Sequence, residues 1–99
     1  MDAKDDGADD PPIAIPIEAE IDLHAFHPRD IPAVVDEYLV AARTAGLTEV
    51  RLVHGRGRGV QRGIVQAALD RHPAVAEFRD DTRSHLGATL ARLHPPDRA

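Results

Sequence analysis

The twelve residues EVRLVHGRGRGV, numbered 49 to 60, change character halfway along. Residues 49 to 53 are mostly aliphatic and predict a short buried strand. His54 then opens a loop in which glycines alternate with arginines. Glycine lets the backbone adopt positive φ and approach a ligand closely, and the planar cation of arginine fits phosphate oxygens. The stretch therefore predicts a strand that leads into an anion-binding loop.

The elements on both sides of this strand follow from hydrophobic periodicity. Residues 17 to 23 alternate apolar and polar side chains and predict a first strand, and 24 to 29 predict a loop. Apolar residues then recur at helical spacing between an N-cap at Asp30 and a left-handed C-terminal glycine at Gly46. Further on, the pattern predicts a helix at 60–71 and strands at 75–80 and 88–93. The order β-α-β-α-β-β predicts an α/β fold.

The first two strands are expected to end side by side. A strand–helix–strand unit usually joins two parallel strands, whose carboxyl ends share one edge of the sheet. The first strand ends in Asp22, His24 and His27, and the second in His54 and the glycine–arginine loop. Helix N-terminal N–H groups favour an anion there. The predicted nucleic-acid or phosphate contacts are His27, Gly55, Arg56, Gly57, Arg58, Gly59 and Arg62. The alternative is a flexible, solvated turn.

Composition places this domain beside an acidic tail. The length of 99 residues is enough for one domain. The chain has no cysteine, which excludes metal sites with thiolate ligands. Residues 1 to 20 carry a net charge of −6 and the remainder +1. We expect an acidic, disordered tail at 1–16, a domain at 17–94 and a short tail at 95–99. The acidic tail is either a solubiliser or a nucleic-acid mimic that covers a basic site.

Neither a membrane span nor a signal peptide is visible in the sequence. We therefore expect a cytoplasmic protein that does not associate with membranes. We also expect it to be a monomer.

Three separated motifs resemble the small MutS-related (Smr) domain. They are IDLHAFHPRD at 21–30, VRLVHGRGRG at 50–59 and LGATLARL at 86–93. The resemblance implies a two-layer sandwich with a mixed four-stranded sheet, like the C-terminal domain of translation initiation factor three. It also implies nucleic-acid binding, often with nicking of DNA or RNA, and a link to DNA repair or recombination. Because no MutS ATPase region is present, we expect a short, stand-alone bacterial Smr protein.

The chain also departs from the family pattern. Ala25 stands where relatives usually have glycine, and Ser84 and His85 replace a glycine pair. These departures favour binding over catalysis. In the third motif only Gly87, Ala88 and Thr89 match the usual pattern cleanly, and we expect them to shape the rim of the site.

Phosphodiester hydrolysis needs a positioned water, a neutralised phosphate and a proton for the leaving oxygen. Asp22 could orient water as a base or hold His24 in one tautomer, and His24 or His54 could act as the acid. Asp22, His24 and His54 are thus the predicted catalytic residues. The alternatives are that Asp22 caps the turn after the strand or pairs structurally with an arginine, and that the histidines hydrogen-bond the backbone.

A metal site is a weaker hypothesis. His24, His27 and His54 could supply three nitrogen ligands to zinc, but the first two lie in one loop with few carboxylates near them. We therefore predict no resident metal, although Mg²⁺ held loosely by Asp22 and a phosphate is compatible with the sequence.

Three function classes follow from these observations. The first is an endonuclease that nicks DNA or RNA, which Asp22, His24 and His54 together favour. The second is a module that binds nucleic acid without cutting it. The third is a protein-interaction domain that recognises partners through its acidic tail.

Overall fold

The predicted order of elements is confirmed in the part of the chain that the computed structural model describes, residues 18–55, 59–83 and 87–96. The predicted bounds of the last two strands and the second helix agree with the structure. The elements are β1 (Glu20–Asp22), a 3₁₀ helix (Pro28–Asp30), α1 (Ile31–Thr44), β2 (Glu49–Val53), α2 (Val60–Arg71), β3 (Val75–Asp80) and β4 (Ala88–Leu93). The predicted acidic tail, 1–16, lies outside the described residues.

The four strands of the described residues form one mixed sheet in the order β1-β2-β4-β3. Strands β1 and β2 are parallel, as predicted, while β4 runs antiparallel to both β2 and β3. The carboxyl ends of β1, β2 and β3 and the amino end of β4 therefore lie at one edge of the sheet. We call this edge the rim. Its register pairs Asp22 with Val53, Val53 with Ala88, and Asp80 with Thr89.

An aliphatic core lies between the sheet and the two helices. One side of each central strand is buried, because successive side chains of a strand point to opposite faces. Tyr38 reaches past the core, where its hydroxyl donates a 2.6 Å hydrogen bond to the carbonyl of Glu18 just before β1. Burial raises the pKa of Tyr38 to about 12. The cluster comprises Leu23, Ile31, Val35, Tyr38, Leu39, Ala42, Val50, Leu52, Val65, Ala68, Leu69, Ala91 and Leu93.

The first strand is shorter than predicted. The predicted strand spans 17–23, but within its described part, 18–23, the strand covers only Glu20–Asp22. Backbone pairing with β2 continues through Ala19, whose carbonyl accepts from Arg51, and through Leu23, which donates to the carbonyl of Val53 at 2.7 Å. After Leu23 the chain turns, because the side chain of Asp22 accepts from a backbone N–H of the next loop.

Helix α1 begins and ends at the predicted residues, although its N-cap lacks the expected side-chain hydrogen bond. Gly46, at φ +88°, donates to the carbonyl of Arg43, and Leu47 donates to that of Ala42, which is a Schellman motif. At the other end Asp30 makes no capping hydrogen bond through its side chain. Asp30 is thus the N-cap residue, as predicted, but its side chain does not cap, because the 3₁₀ helix already gives Asp30 helical dihedral angles. Within the described residues no helix is long and apolar enough to cross a membrane.

Candidate functional site at the rim

The turn after β1 pairs a carboxylate with an imidazole. Oδ1 of Asp22 accepts from the backbone N–H of His24 at 3.0 Å and lies 2.5 Å from Nδ1 of the same residue. These two bonds hold the pKa of Asp22 below its usual value, the side-chain bond having the larger effect. An ionised carboxylate only accepts hydrogen bonds, so Nδ1 of His24 carries the proton. The predicted alternatives for Asp22, capping the turn and orienting His24, thus coexist.

His24 is open to solvent, with 63% of its side chain exposed. Within the described residues its Nε2 has no hydrogen-bond partner. With the proton held on Nδ1, Nε2 of neutral His24 carries the free lone pair and is accessible to solvent or a ligand.

His54, at the end of β2, is in a contrasting environment because it is only 4% exposed. Its Nδ1 lies 3.2 Å from the carbonyl oxygen of Gly55, and its Nε2 lies 3.0 Å from Oγ1 of Thr89. A carbonyl oxygen cannot donate, so Nδ1 is the donor. Burial lowers the pKa of His54, which favours the neutral ring and makes Nε2 an acceptor from the Thr89 hydroxyl. Both nitrogens of His54 are therefore engaged inside the protein.

A polar network connects His54 to helix α2. Thr89 Oγ1 accepts from Nε2 of Gln66 at 2.9 Å, and Gln66 Nε2 also donates to Oδ1 of Asp80 at 2.8 Å. Arg62 donates two bonds to the Asp80 carboxylate, at 2.9 and 2.8 Å. The bonds to Asp80 hold its pKa below the ordinary value for an aspartate, and they raise the pKa of Arg62 above the ordinary value for an arginine. The network thus runs unbroken from Arg62 to the carbonyl of Gly55.

The backbone brings the two motif loops into contact. Gly55 has φ +89°, and a Cβ placed on it would lie 3.4 Å from the Cβ of His24. The carbonyl of Gly87 accepts from the N–H groups of both His54 and Gly55 at 3.1 Å. Gly59, at φ +83°, occupies the N-cap of α2. Asp22, His24 and the turn after β2 are thus brought together, as the parallel topology predicted.

The other predicted residues have mixed positions. Nδ1 of His27 accepts from the backbone N–H of Arg29 at 3.1 Å and caps the 3₁₀ helix. Arg62 forms an ion pair with Asp80, so its positive charge is already compensated within the protein. Ala88 and Thr89 are buried. The predicted phosphate contacts Arg56, Gly57 and Arg58 lie outside the described residues, as do Ser84 and His85.

Gln66 and Asp80 belong to the site but were missed from the sequence. Asp80 ends a predicted strand at the rim and falls on the same sheet face as Thr89, its partner in register. Gln66 lies four residues, about one helical turn, after Arg62. Both placements can be read from the sequence. The hydrogen bonds of Gln66 to Asp80 and Thr89 cannot, because these partners are 14 and 23 residues away along the chain. Among the described residues no three His, Asp or Glu side chains cluster so as to hold a metal ion.

Comparison with known proteins identifies the family of this chain. The sequence model of the Smr domain matches residues 21–94. The chain belongs to the Smr domain family. The crystal structure of the Smr domain of Thermus thermophilus MutS2 superposes with a TM-score of 0.71 at 35% identity, covering 77% of this chain and 98% of that one. The α/β fold with a mixed four-stranded sheet is therefore that of an Smr domain.

Relatives of known name are longer proteins. The chain is 40% identical over 79 residues to Endonuclease MutS2 of Caldicellulosiruptor bescii, covering 78% of this chain and 10% of that protein. It is 36% identical over 89 residues to Endonuclease MutS2 of Thermomicrobium roseum, covering 84% and 11%. The chain thus spans about a tenth of the length of these relatives.

Proposed function

We propose that this Smr domain binds nucleic acid at the rim and nicks its phosphodiester bonds, with Asp22 and His24 as the proton-handling pair. The observation that carries the proposal is the exposed Asp22–His24 pair beside the positive-φ turn at Gly55. Support also comes from the similarity to MutS2 proteins named as endonucleases.

The chemistry assigned to this pair is proton transfer. Hydrolysis adds water across a P–O bond, so a proton must leave the attacking water and another must reach the leaving oxygen. Nε2 of His24 can accept the first proton, because Asp22 keeps Nδ1 protonated and stabilises the imidazolium that forms. The leaving oxygen then takes its proton from that imidazolium or from solvent.

His54 has a positioning role in this proposal. Its ring is buried, with Nδ1 bonded to the Gly55 carbonyl and Nε2 to Thr89, so it cannot reach a phosphate without leaving its place. It fixes the first peptide of the glycine–arginine loop instead. The interpretation of His54 as a proton donor is therefore replaced here by orientation of the loop.

The positive charge for the phosphate is assigned to the loop arginines. Arg62 is neutralised by Asp80, which leaves Arg56 and Arg58 as the cations that the sequence places between two positive-φ glycines, Gly55 and Gly59. Mg²⁺, if used, would bind with the substrate, since Asp22 offers only one carboxylate oxygen that is not bonded to His24 and Mg²⁺ prefers several oxygen ligands.

A cleavage and gel-shift assay tests these roles. Labelled single-stranded RNA, linear duplex DNA and supercoiled plasmid would be incubated with the protein in Mg²⁺ or in EDTA. His24→Ala should abolish cutting and keep binding, whereas Arg56→Ala/Arg58→Ala should abolish both. Arg62→Ala is the control. It should weaken binding less than alanine at Arg56 or at Arg58 does. Full cleavage by His24→Ala would reject the assignment.

Binding without cutting is the second candidate function. The observation that favours it is the burial of His54, which leaves only one of the two predicted catalytic imidazoles, that of His24, exposed at the rim. Gel shifts without cleavage by the wild type in either Mg²⁺ or EDTA would select this function. A partner-binding role of the acidic tail, the compartment and the monomeric state stay predictions.

A further inference from the structure

Phe26 is an aromatic side chain that the core does not use. The chain contains three aromatic residues, and the other two, Tyr38 and Phe78, pack in or against the core. Phe26 is 41% exposed and lies in the turn between His24 and His27. In the described residues only two other large apolar side chains are exposed, Val40 and Val60, and Val60 is the first residue of α2.

The structure holds Phe26 beside the candidate site. Its N–H donates to the carbonyl of Leu23 at 3.1 Å, and Leu23 is fully buried. Its carbonyl accepts from Nε2 of Gln61 at 3.3 Å, in the first turn of α2. Phe26 is thus fixed between the loop that carries His24 and the start of the helix that follows the glycine–arginine loop.

We infer that Phe26 is a stacking platform for an unpaired base, so that the rim selects single-stranded or locally unpaired nucleic acid. The inference rests on the proposed function and narrows its substrate class. Single-strand sites combine cations that follow the backbone with aromatic rings on which bases stack. Here Phe26 shares one exposed segment of chain with His24, His27 and Arg29. In the sequence, Arg56 and Arg58 follow Gly55, whose backbone lies against His24.

Duplex bases do not offer a comparable partner. Their faces are covered by neighbouring base pairs, and a platform can take one only if the base is flipped out or already unpaired. Phosphate contacts alone do not distinguish strands with bases from strands without them. The platform therefore predicts an affinity that depends on bases, in addition to the dependence on charge.

Equilibrium binding of the full chain in EDTA tests the platform. The probes are a single-stranded DNA oligonucleotide, the duplex of the same sequence and an abasic strand of equal length. Phe26→Ala should bind the single strand at least about fivefold more weakly, with the duplex and abasic strand unchanged. Phe26→Tyr should restore binding, and Val40→Ala, which removes an exposed side chain from α1, should behave as wild type.

A fluorescence measurement gives a second, independent readout. The chain has no tryptophan, so Phe26→Trp introduces a single reporter. Stacking of a base should quench its emission on addition of the single strand, and the abasic strand should not. Val40→Trp is the matched reporter away from the rim and should not respond to either probe.

The outcomes separate the two proposals. Wild-type binding to the single strand with no loss in Phe26→Ala, or unchanged emission of Phe26→Trp at saturation, would overturn the platform and leave the nucleic-acid function standing. Tighter binding of the duplex than of the single strand would also overturn it. If the wild type bound none of the three probes at low salt, the proposed function would fail together with the platform.

Discussion

The two hydrogen bonds of the His54 ring determine which of its nitrogens carries the proton. Because its Nδ1 faces a carbonyl and its Nε2 faces a hydroxyl, the neutral Nδ1–H tautomer satisfies both partners. We expect ¹⁵N NMR at pH 7 to find the proton of His54 on Nδ1, and the pKa of His54 to lie below the ordinary value of 6.5. A proton on Nε2, or titration above that value, would contradict the network.

The same burial predicts how stability depends on pH. The pKa of His54 is lower in the folded than in the unfolded chain, so the unfolded chain takes up the proton first as the pH falls. Its contribution is therefore complete above about pH 6.5 and declines as the pH falls toward the folded-state pKa. Asp22 and Asp80, with lowered pKa values, act only near or below 3.8.

Urea unfolding at pH 7.5, 6.5 and 5.5 measures this effect. The wild type should lose stability across the series. Thr89→Val removes the hydroxyl that donates to Nε2, so its His54 should titrate at higher pH and its stability should change less across the same range. Equal pH dependence in both proteins would show that another group is responsible.

Three glycines, Gly46, Gly55 and Gly63, allow the backbone effect of an alanine substitution to be separated from its contact with His24. Gly55 and Gly46 both have positive φ, and Gly63 lies inside α2 with nothing within 4 Å of an added Cβ. Alanine at either of the first two should cost about 1–2 kcal/mol, whereas Gly63→Ala should gain about 0.5–1 kcal/mol. Only Gly55→Ala places a methyl beside His24, so it alone should also alter the His24 NMR signals and any cleavage. Equal effects of Gly46→Ala on His24 would contradict the contact.

At the scale of elements, one glutamine links α2 to two strands. Gln66 bonds Asp80 of β3 and Thr89 of β4, and Thr89 is fully buried. Removing Gln66 leaves Arg62 as the only partner of Asp80 among the described residues and deprives the Thr89 hydroxyl of its donor. We expect Gln66→Ala to cost about 1–3 kcal/mol in urea unfolding.

A double-mutant cycle with Thr89→Val should give a coupling energy of about 0.5 kcal/mol or more. The control is Gln61→Ala, which should cost little, because among the described residues its side chain bonds only the exposed loop carbonyl of Phe26. If the losses from Gln66→Ala and Thr89→Val were additive, these two side chains would not interact.

The elements themselves were predictable because local patterns suffice for them. Strand β2, helix α2 and strands β3 and β4 have the bounds that periodicity predicted, and the parallel pairing of β1 with β2 brought Asp22 and His24 to the rim. The 3₁₀ helix was missed because its cap is His27, a residue type that is unusual in that role. The partners of His54 and Arg62 were missed because tertiary pairing carries no local signal.

At the scale of the whole molecule, charge is divided between two surfaces. The sheet face away from the helices carries ion pairs, Arg79 with Glu49 and Arg92 with Glu77, both at 3.2 Å. These arginines are roughly half exposed and already paired, and such surface pairs contribute little to stability. Cations that serve nucleic acid should therefore be those of the rim loop, although the net charge of the chain is −5.

Salt dependence tests this division. Binding to a single strand should weaken linearly in a plot of log affinity against log salt, because each arginine–phosphate contact releases counterions. Arg56→Ala/Arg58→Ala should make the slope shallower by about 0.7 for each phosphate that is no longer neutralised. Arg79→Ala/Arg92→Ala removes the same formal charge from the open sheet face and should leave the slope near that of the wild type. If both double variants changed the slope equally, overall charge would govern binding, and the assignment of the phosphate site to the loop after β2 would be wrong.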